Sequence, residues 1–208
     1  MSRKQWNRPG LLAVMCIAAA VFAARASGNA ADEIKRLAAL MEWKPGTIVA
    51  DIGAGDGSYS FAAMEYVGAT GKVYATEIDA KKLEELKAEI AKRKLQNVAV
   101  VESKEADTNL PTGCCDAIFL RRVYHHLTKP VEFDANLVRS LKPGGRLAII
   151  DFPARSGLEP VEGVPANRGG HGIPQKVVIE ELTAAGLQMK KVVNDWPEND
   201  YCVLFVKK

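Results

Sequence analysis

The chain has 208 residues, of which 48% are apolar and 25% are charged. This composition is that of an ordinary globular protein, and it excludes a disordered, collagen-like or long coiled-coil chain. Four of the 28 basic side chains and none of the 25 acidic ones lie in the first 26 residues, so the remainder is close to neutral. A near-neutral body argues against a nucleic-acid partner held through its phosphates. The length predicts one domain.

The first 26 residues have the three regions of a secretory signal peptide. Three basic residues stand among the first eight, the stretch 11–24 is apolar and uncharged, and Ala24-Arg25-Ala26 is a small-x-small cleavage pattern. The apolar stretch is shorter than the roughly 20 residues that span a bilayer. The sequence therefore predicts a signal peptide over 1–26 and an exported, periplasmic protein. The alternative is an uncleaved anchor in the inner membrane, with the domain on the cytosolic side and no other membrane contact.

The cysteines predict neither a disulfide framework nor a metal site. Cys16 lies in the signal peptide, which leaves Cys114, Cys115 and Cys202. Neighbouring cysteines bridge only with strain, given the usual separation of the two Cα atoms in a disulfide. No second Cys or His pair follows at the spacing of a zinc site. We expect these cysteines to be unpaired and without chemistry.

Apolar periodicity, interrupted by turns that contain Gly or Pro, predicts strands and helices that alternate along most of the chain. The predicted helices cover residues 32–43, 58–66, 80–94, 131–141 and 174–185. The predicted strands cover residues 47–51, 72–78, 97–101, 115–120, 146–151, 187–193 and 201–206, with a tight turn at 142–145. The stretch 153–172 is rich in Pro and Gly and has no periodicity, which is typical of a lid or a binding loop.

This alternation predicts a mostly parallel sheet with helices on both faces. The last two strands have no helix between them, so we expect them to form an antiparallel hairpin. In an open parallel sheet, ligands bind beyond the carboxyl ends of the strands. The candidate site residues are therefore those that follow the strands.

Three glycines follow the first strand, in the pattern Asp51-x-Gly53-x-Gly55-x-Gly57. Glycine lets the backbone turn tightly and come close to a ligand, and the free N–H groups of the next helix favour a negative group. Asp51 adds an acceptor for an ammonium group or for amides of the loop. A dinucleotide-binding motif would have its third glycine where Ser58 stands, so the spacing disfavours an NAD site.

Ionisable side chains follow the next three strands. Glu77 can accept hydrogen bonds from both hydroxyls of a ribose and disfavours a 2′-phosphate. Glu105 and Asp107 follow the third strand and can accept from an adenine amino group. The residues that follow the fourth strand are Arg121, Arg122, Tyr124, His125 and His126.

These motifs, in this order, resemble those of class I S-adenosylmethionine-dependent methyltransferases. The resembling stretches are 49–60 (VADIGAGDGSYS), 73–79 (VYATEID), an LP-x-x-x-x-D stretch that ends at Asp116, and 141–152 (LKPGGRLAIIDF). The stretches 116–127 and 171–187 are most similar to a branch of small bacterial methyltransferases, some of which have signal peptides. Over residues 31–208 the resemblance implies a single α/β domain of Rossmann-like, doubly wound fold. Its seven strands would have the order 3-2-1-4-5-7-6, with an antiparallel seventh strand.

The resemblance implies S-adenosyl-L-methionine as the cofactor and methyl transfer to a small-molecule acceptor as the reaction. The glycine loop would lie against the methionine part, with Asp51 orienting the loop and the ammonium group. Glu77 would hold the ribose hydroxyls, although aspartate is commoner at that position. Glu105 or Asp107 would meet the adenine, and Arg121 would line the methionyl end. The expected cofactor-binding residues are Asp51, Gly53, Ala54, Gly55, Glu77, Ile78, Glu105, Asp107 and Arg121.

Three residues are candidates for a general base, namely Tyr124, His125 and His126. Methyl transfer needs a base only when the acceptor is an OH or NH that stays protonated near neutrality. The alternative is that His126 packs against the cofactor and Tyr124 packs into the sheet. The Asn/Asp-Pro-Pro-aromatic motif of enzymes that methylate amino groups of nucleic acids and proteins is absent, which disfavours a DNA base as the acceptor.

The stretch 153–172 leaves three further side chains open. Arg155 and Arg168 would attract an anionic substrate or be solvated, and His171 would face the substrate or cap the next helix. Two other functions also stay open. An export signal conflicts with a cofactor made in the cytosol, so the protein could be a binding module without turnover. An NAD-dependent oxidoreductase is the other alternative, disfavoured by the glycine spacing.

Overall fold

The computed structural model describes residues 30–155 and 157–208. The predicted signal peptide over 1–26, and with it the expected export or anchoring, lies outside the described residues. Within the two described ranges, no helix combines the length and the apolar character needed to cross a membrane.

Seven strands form one sheet in the order β3-β2-β1-β4-β5-β7-β6. The strands are β1 (Ile48–Ile52), β2 (Lys72–Glu77), β3 (Val98–Glu102), β4 (Cys115–Arg121), β5 (Leu141–Asp151), β6 (Leu187–Val193) and β7 (Tyr201–Lys207). Strands β1 to β5 run parallel, and β7 pairs antiparallel with both β5 and β6. The strand order, the hairpin and the antiparallel last strand that we predicted are confirmed.

Helices cover both faces of the sheet. They are α1 (30–40), α2 (Ser58–Val67), α3 (Ala80–Arg93), α4 (Pro130–Ser140) and α5 (Gln175–Ala184). Along β4, Ile118 packs in the apolar layer that holds α4 and α5, whereas Phe119 packs in the layer that holds α1, α2 and α3. Because neighbouring strand residues point to opposite faces, β4 is apolar at every position over 117–120, where both of its sides are buried.

Strand β5 begins earlier than predicted. The expected turn at 142–145 lies inside β5, where the pairing with β4 passes from Cys115 opposite Leu141 to Ala117 opposite Arg146. Four residues are thus accommodated as a bulge opposite a single residue of β4. The Pro and Gly residues that indicated a turn interrupt the ladder without ending the strand.

A disulfide joins the adjacent Cys114 and Cys115 at the start of β4. The expectation that these two cysteines are unpaired was wrong: it rested on the usual Cα separation of a disulfide, and the two Cα atoms lie only 3.7 Å apart here. Cys202 is a buried free thiol in β7.

Candidate functional site

A cavity of about 250 Å³ lies at the carboxyl ends of the first four strands. Its lining residues end those strands, follow them directly or belong to the chain that leads into α4 and to α4 itself. They are Ile52, Gly53, Glu77, Ile78, Ser103, Lys104, Glu105, Val123, His126, Leu127, Thr128 and Phe133.

Five of the residues that we predicted for the site line this cavity. They are Gly53, Glu77, Ile78, Glu105 and His126. The remaining lining residues, such as Ser103 and Leu127, were not among the predicted site residues. Their places directly after strand β3 and after the histidines were visible in the sequence. Apart from Lys104, however, the side chains that were not predicted are small or apolar and carry no chemistry that would have set them apart.

The glycine loop, residues 53–57, turns back beneath the end of β2. Gly53 has a φ of 73°, and a Cβ on it would lie 2.6 Å from Cγ2 of Val123. The N–H of Ala54 donates to the carbonyl of Thr76 at 2.8 Å, and the side chain of Ala54 is buried. The backbone of Gly53 therefore forms one wall of the cavity, where a larger residue would not fit.

Glu77 holds this loop through its carboxylate. Its Oε2 accepts from the N–H of Gly55 at 2.9 Å, and its Oε1 accepts from the N–H groups of Ile78 and Asp79 at 2.8 and 3.1 Å. The side chain is almost fully buried but faces the cavity. A carboxylate offers about four lone-pair sites, so Glu77 keeps acceptor capacity toward the cavity.

Asp51 lies under the glycine loop and does not line the cavity. Its Oδ2 accepts from the hydroxyl of Ser60 at 2.7 Å. Burial raises the pKa of Asp51 to about 7. In the structure this side chain contacts the start of α2, so it supports the loop from below.

Arg121 pairs with a residue that the sequence analysis did not consider. Its Nε and Nη2 donate to the two carboxylate oxygens of Glu33 in α1, at 3.1 and 2.9 Å. Glu33 is buried and also accepts from the hydroxyl of Tyr59 and the indole N–H of Trp196. Arg121 therefore connects α1 to β4 and does not line the cavity.

The two acidic candidates after β3 separate. Asp107 pairs with Arg139 at 3.1 Å and does not line the cavity. Glu105 does line it and accepts from the hydroxyl of Thr128 at 2.5 Å and from Lys129 at 2.9 Å. Those hydrogen bonds lower the pKa of Glu105. Of the two acidic candidates, Glu105 is the one that a ligand in the cavity would meet.

All three histidines of the chain meet beside the cavity. The ring centroid of His125 lies 3.9 Å from that of His126 and 5.6 Å from that of His171. His125 is buried, and its Nδ1 lies 2.9 Å from Oδ1 of Asp151 at the end of β5. A carboxylate that accepts from Nδ1–H leaves Nε2 as the acceptor nitrogen of the ring.

His126 is the histidine that lines the cavity. It ends the short 3₁₀ turn Tyr124–His126, which we call the histidine turn. Burial lowers the pKa of His126, and the neighbouring ring of His125 lowers it further. His126 is therefore neutral near pH 7 and can accept a proton.

Tyr124 is removed from the candidates for a general base. It is fully buried, and its hydroxyl lies 2.9 Å from Oδ2 of Asp134 and 2.9 Å from Oε2 of Glu181. Burial raises the pKa of Tyr124, and the two carboxyl groups raise it further. This placement agrees with the alternative that Tyr124 packs into the sheet.

The hydroxyl of Tyr124 has one proton and can donate to only one of its two carboxyl partners. The other partner has to carry a proton of its own and donate to the tyrosine oxygen. Burial raises the pKa of Asp134 to about 7, whereas Glu181 pairs with Arg168. Oδ1 of Asp134 is buried without a hydrogen-bond partner in the described part of the chain. Asp134 is therefore the protonated member.

The loop residues that we left open take distinct places. Arg168, expected to be solvated or to attract an anion, is 1% exposed and pairs with Glu181. Arg155 is exposed and stacks over Phe152. His171 faces the other histidines and does not cap α5, whose first turn has no side-chain cap.

Several of the known proteins to which this chain is similar are methyltransferases. The family model described as a methyltransferase domain matches residues 50–149. The ubiquinone/menaquinone biosynthesis C-methyltransferase UbiE of Francisella philomiragia is 27% identical over 110 residues, which are 52% of this chain and 44% of that protein. Nocamycin O-methyltransferase of Saccharothrix syringae is 30% identical over 115 residues, 55% of this chain and 41% of that protein. The chain thus spans less than half the length of these two curated relatives.

A solved structure matches over more of the chain. The crystal structure of a SAM dependent methyltransferase from Aquifex aeolicus aligns with a TM-score of 0.72 and 29% identity. The alignment covers 84% of this chain and 89% of that one.

We predict that Gly53→Ala destabilises the protein more than Gly113→Ala does. Both glycines have a positive φ, which costs an L residue about 1 to 2 kcal/mol. A Cβ on Gly53 would also meet Val123, whereas nothing lies within 4 Å of one on Gly113. The additional loss is about 1 to 3 kcal/mol by overpacking. Urea unfolding of the two variants measures the difference, and equal losses would contradict the close approach at Gly53.

We also predict that Asp134→Asn changes how stability depends on pH. Folded Asp134 keeps its proton up to about pH 7, whereas the ordinary pKa of 3.8 applies in the unfolded chain. The unfolding free energy of the native protein therefore falls as the pH rises from about 4 to 7. Asparagine resembles the protonated acid but does not titrate, so the Asp134→Asn variant should not lose stability over this pH range.

Urea unfolding at pH 5 and pH 8 measures the effect. The advantage of the Asp134→Asn variant over the native protein should be about 2 kcal/mol larger at pH 8 than at pH 5. Asp195→Asn is the matched control, because Asp195 is exposed and its pKa is lowered by Arg36. The same difference between the Asp134→Asn variant and the native protein at both pH values would show that Asp134 does not hold the proton.

Proposed function

We propose that this chain, which belongs to the class I S-adenosylmethionine-dependent methyltransferases, transfers a methyl group from S-adenosyl-L-methionine to a small-molecule acceptor. The observation that carries the proposal is the cavity at the ends of β1 and β2. There the glycine loop and the buried carboxylate of Glu77 stand side by side.

The residues of the cavity fit this cofactor. Glu77 offers a carboxylate with spare acceptor capacity, which suits the two hydroxyls of a ribose and repels a phosphate. Ile78 is 59% exposed at the rim, and Leu127 and Phe133 add apolar surface for a planar base. Gly53 presents bare backbone to a ligand at the wall where a Cβ would meet Val123. We expect Gly55 and Ala54 to contribute through the shape of the loop, with Asp51 supporting it from below.

When bound, S-adenosylmethionine supplies a methyl group that is already activated on a sulfonium. What remains for the chain is to exclude water and to hold the acceptor in line with the bond that breaks. Where the acceptor is an OH or NH, a base has to take its proton. We propose His126 for that role, because it lines the cavity and is neutral near pH 7. His125, which Asp151 orients through Nδ1, packs against the ring of His126.

The acceptor is proposed as a class only. The two curated relatives are named for ubiquinone/menaquinone biosynthesis and for nocamycin, and for transfer to carbon and to oxygen respectively. Both names support a small molecule and leave the accepting atom open. The proposed location, the periplasm, rests on the pattern of residues 1–26 alone. N-terminal sequencing of the mature protein tests it, because an intact Met1 would indicate the anchored alternative.

The reaction is tested with S-adenosylmethionine labelled on its methyl group and pools of candidate small molecules. The full chain should move the label to an acceptor and release one S-adenosylhomocysteine for each label transferred. Binding of S-adenosylhomocysteine without transfer to any pool would favour the binding module. Binding of NAD alone would overturn the proposal.

We predict that Glu77→Gln weakens binding of S-adenosylhomocysteine by about 10- to 100-fold, because a charged acceptor for the sugar hydroxyls is lost. Glu102→Gln is the matched control, since Glu102 stands opposite Glu77 in the next strand and is exposed. Isothermal calorimetry measures both variants. Equal affinities of the two variants would contradict the role of Glu77.

We predict that His126 sets the acid limb of the pH profile for an OH or NH acceptor. Because the pKa of His126 lies below the ordinary 6.5, kcat/KM should stay constant as the pH falls to 6.5. It should fall only at lower pH, where His126 becomes protonated. His126→Gln should lower kcat by about 10²-fold and abolish the limb, whereas His171→Gln should retain it. Rates measured from pH 4.5 to 8.5 show whether each variant retains the acid limb. An acid limb that survives in the His126→Gln variant would assign the base elsewhere.

A further inference from the structure

We propose that Arg168 is a positioning residue: it fastens the loop segment 157–172 to the histidine turn and thereby fixes where His126 stands at the cavity. The segment has a short 3₁₀ turn, Ala166–Arg168, and otherwise no regular structure. Arg168 is nevertheless among the largest fully buried side chains of the described residues. A buried guanidinium needs partners for its five N–H donors, and the choice of those partners indicates what it does.

Two partners are backbone carbonyls at either end of the histidine turn. Nη1 of Arg168 donates to the carbonyl of Leu127 at 2.8 Å, and Nη2 donates to the carbonyl of Tyr124 at 3.0 Å. These carbonyls flank His125 and His126 in the chain. One planar group from a distant loop therefore holds both ends of the segment that carries the two histidines.

The third partner anchors the guanidinium itself. Nε and Nη2 of Arg168 donate to Glu181 in α5, at 2.9 and 3.1 Å. Glu181 also lies 2.9 Å from the hydroxyl of Tyr124. The loop, the turn and α5 are thus joined at one point. The guanidinium reaches the carboxylate and the two carbonyls from three nitrogens held in one rigid plane, whereas a lysine has to direct all three of its N–H donors from a single nitrogen.

Other contacts tie the histidine turn to β5, α4 and α5: the backbone N–H of His125 donates to Oδ2 of Asp151 at 3.1 Å, and the hydroxyl of Tyr124 lies 2.9 Å from Asp134 and from Glu181. Arg168 adds the link to the loop segment.

The turn itself has few backbone bonds. It is one turn long, with backbone bonds from His126 to the carbonyl of Val123 and from Leu127 to that of Tyr124. The same loop segment also reaches the cavity edge, because a Cβ on Gly163 would lie 3.1 Å from Cγ2 of Thr128. The seating of the loop and the position of His126 are therefore mechanically coupled through Arg168.

The test uses nuclear magnetic resonance of the full chain, whose three histidines give three ring signals. The groups that face His126 are His125, Asp151 and His171. In Arg168→Lys the turn should loosen and the ring of His126 should become more solvated. Its pKa should then rise toward the ordinary value by about half a unit or more.

The matched control is Arg146→Lys. Arg146 pairs with Glu42 and stands in the middle of β5, next to the bulge and away from Asp151 at the end of the strand, so the same substitution there should leave the titration of His126 unchanged. A folded Arg168→Lys protein that titrates like the native one at His126 overturns the proposal. If circular dichroism shows that this variant does not fold, Glu181→Gln decides by the same titration, because it weakens the anchor and leaves both carbonyl contacts possible.

The consequence for rate rests on the proposed function, whereas the titration does not need turnover. With a methyl acceptor, Arg168→Lys should lower kcat by about 10-fold or more while the KM for S-adenosylmethionine stays within about threefold. Failure of the native protein to bind S-adenosylhomocysteine would overturn the proposed function and leave the titration to judge Arg168. Loss of both kcat and cofactor binding in the variant would indicate a merely structural role.

Discussion

The carboxylate of Glu77 connects the two halves of the binding edge on one side of the sheet. It accepts hydrogen bonds from three backbone N–H groups, one in the glycine loop after β1 and two in the link between β2 and α3. Within residues 30–155 and 157–208, no arginine or lysine forms an ion pair with this carboxylate. The amide donors hold it instead, so its remaining acceptor capacity faces the cavity.

At the ends of β4 and β5, ion pairs between different elements hold α1 and the loop segment 157–172 in place. Arg121 reaches Glu33 across 88 residues, and Arg168 reaches Glu181 across 13. Taking such charges out of water costs several kcal/mol for each ion, so these pairs contribute little net stability against apolar packing. Removing one member, however, would cost about 3 to 5 kcal/mol. The pairs therefore specify how α1 and the loop seat against the sheet.

The sequence predicted the sheet well because its signals are local. Alternating strands and helices, a hairpin without a helix and the glycines after β1 can each be read within about ten residues, and the family resemblance supplied the strand order. The candidate site was predicted less evenly. Every candidate does lie at the end of a strand or beyond it, but a distant partner decides whether its side chain turns to the cavity. Arg121 turns to Glu33, and Tyr124 turns to Glu181, 57 residues later in the chain.

The strand order reverses between β1 and β4, and this point divides the site by chemistry. The ends of β1 to β3 supply backbone amides and the carboxylates of Glu77 and Glu105, which can hold a ligand by hydrogen bonds. Beyond β4 and β5 stand the three histidines and Asp151. A ligand held on the first side would have the three histidines across the reversal from it. The two walls come from different elements, so the contacts of the loop segment 157–172 and the histidine turn set one wall while Glu77 and the glycine loop set the other.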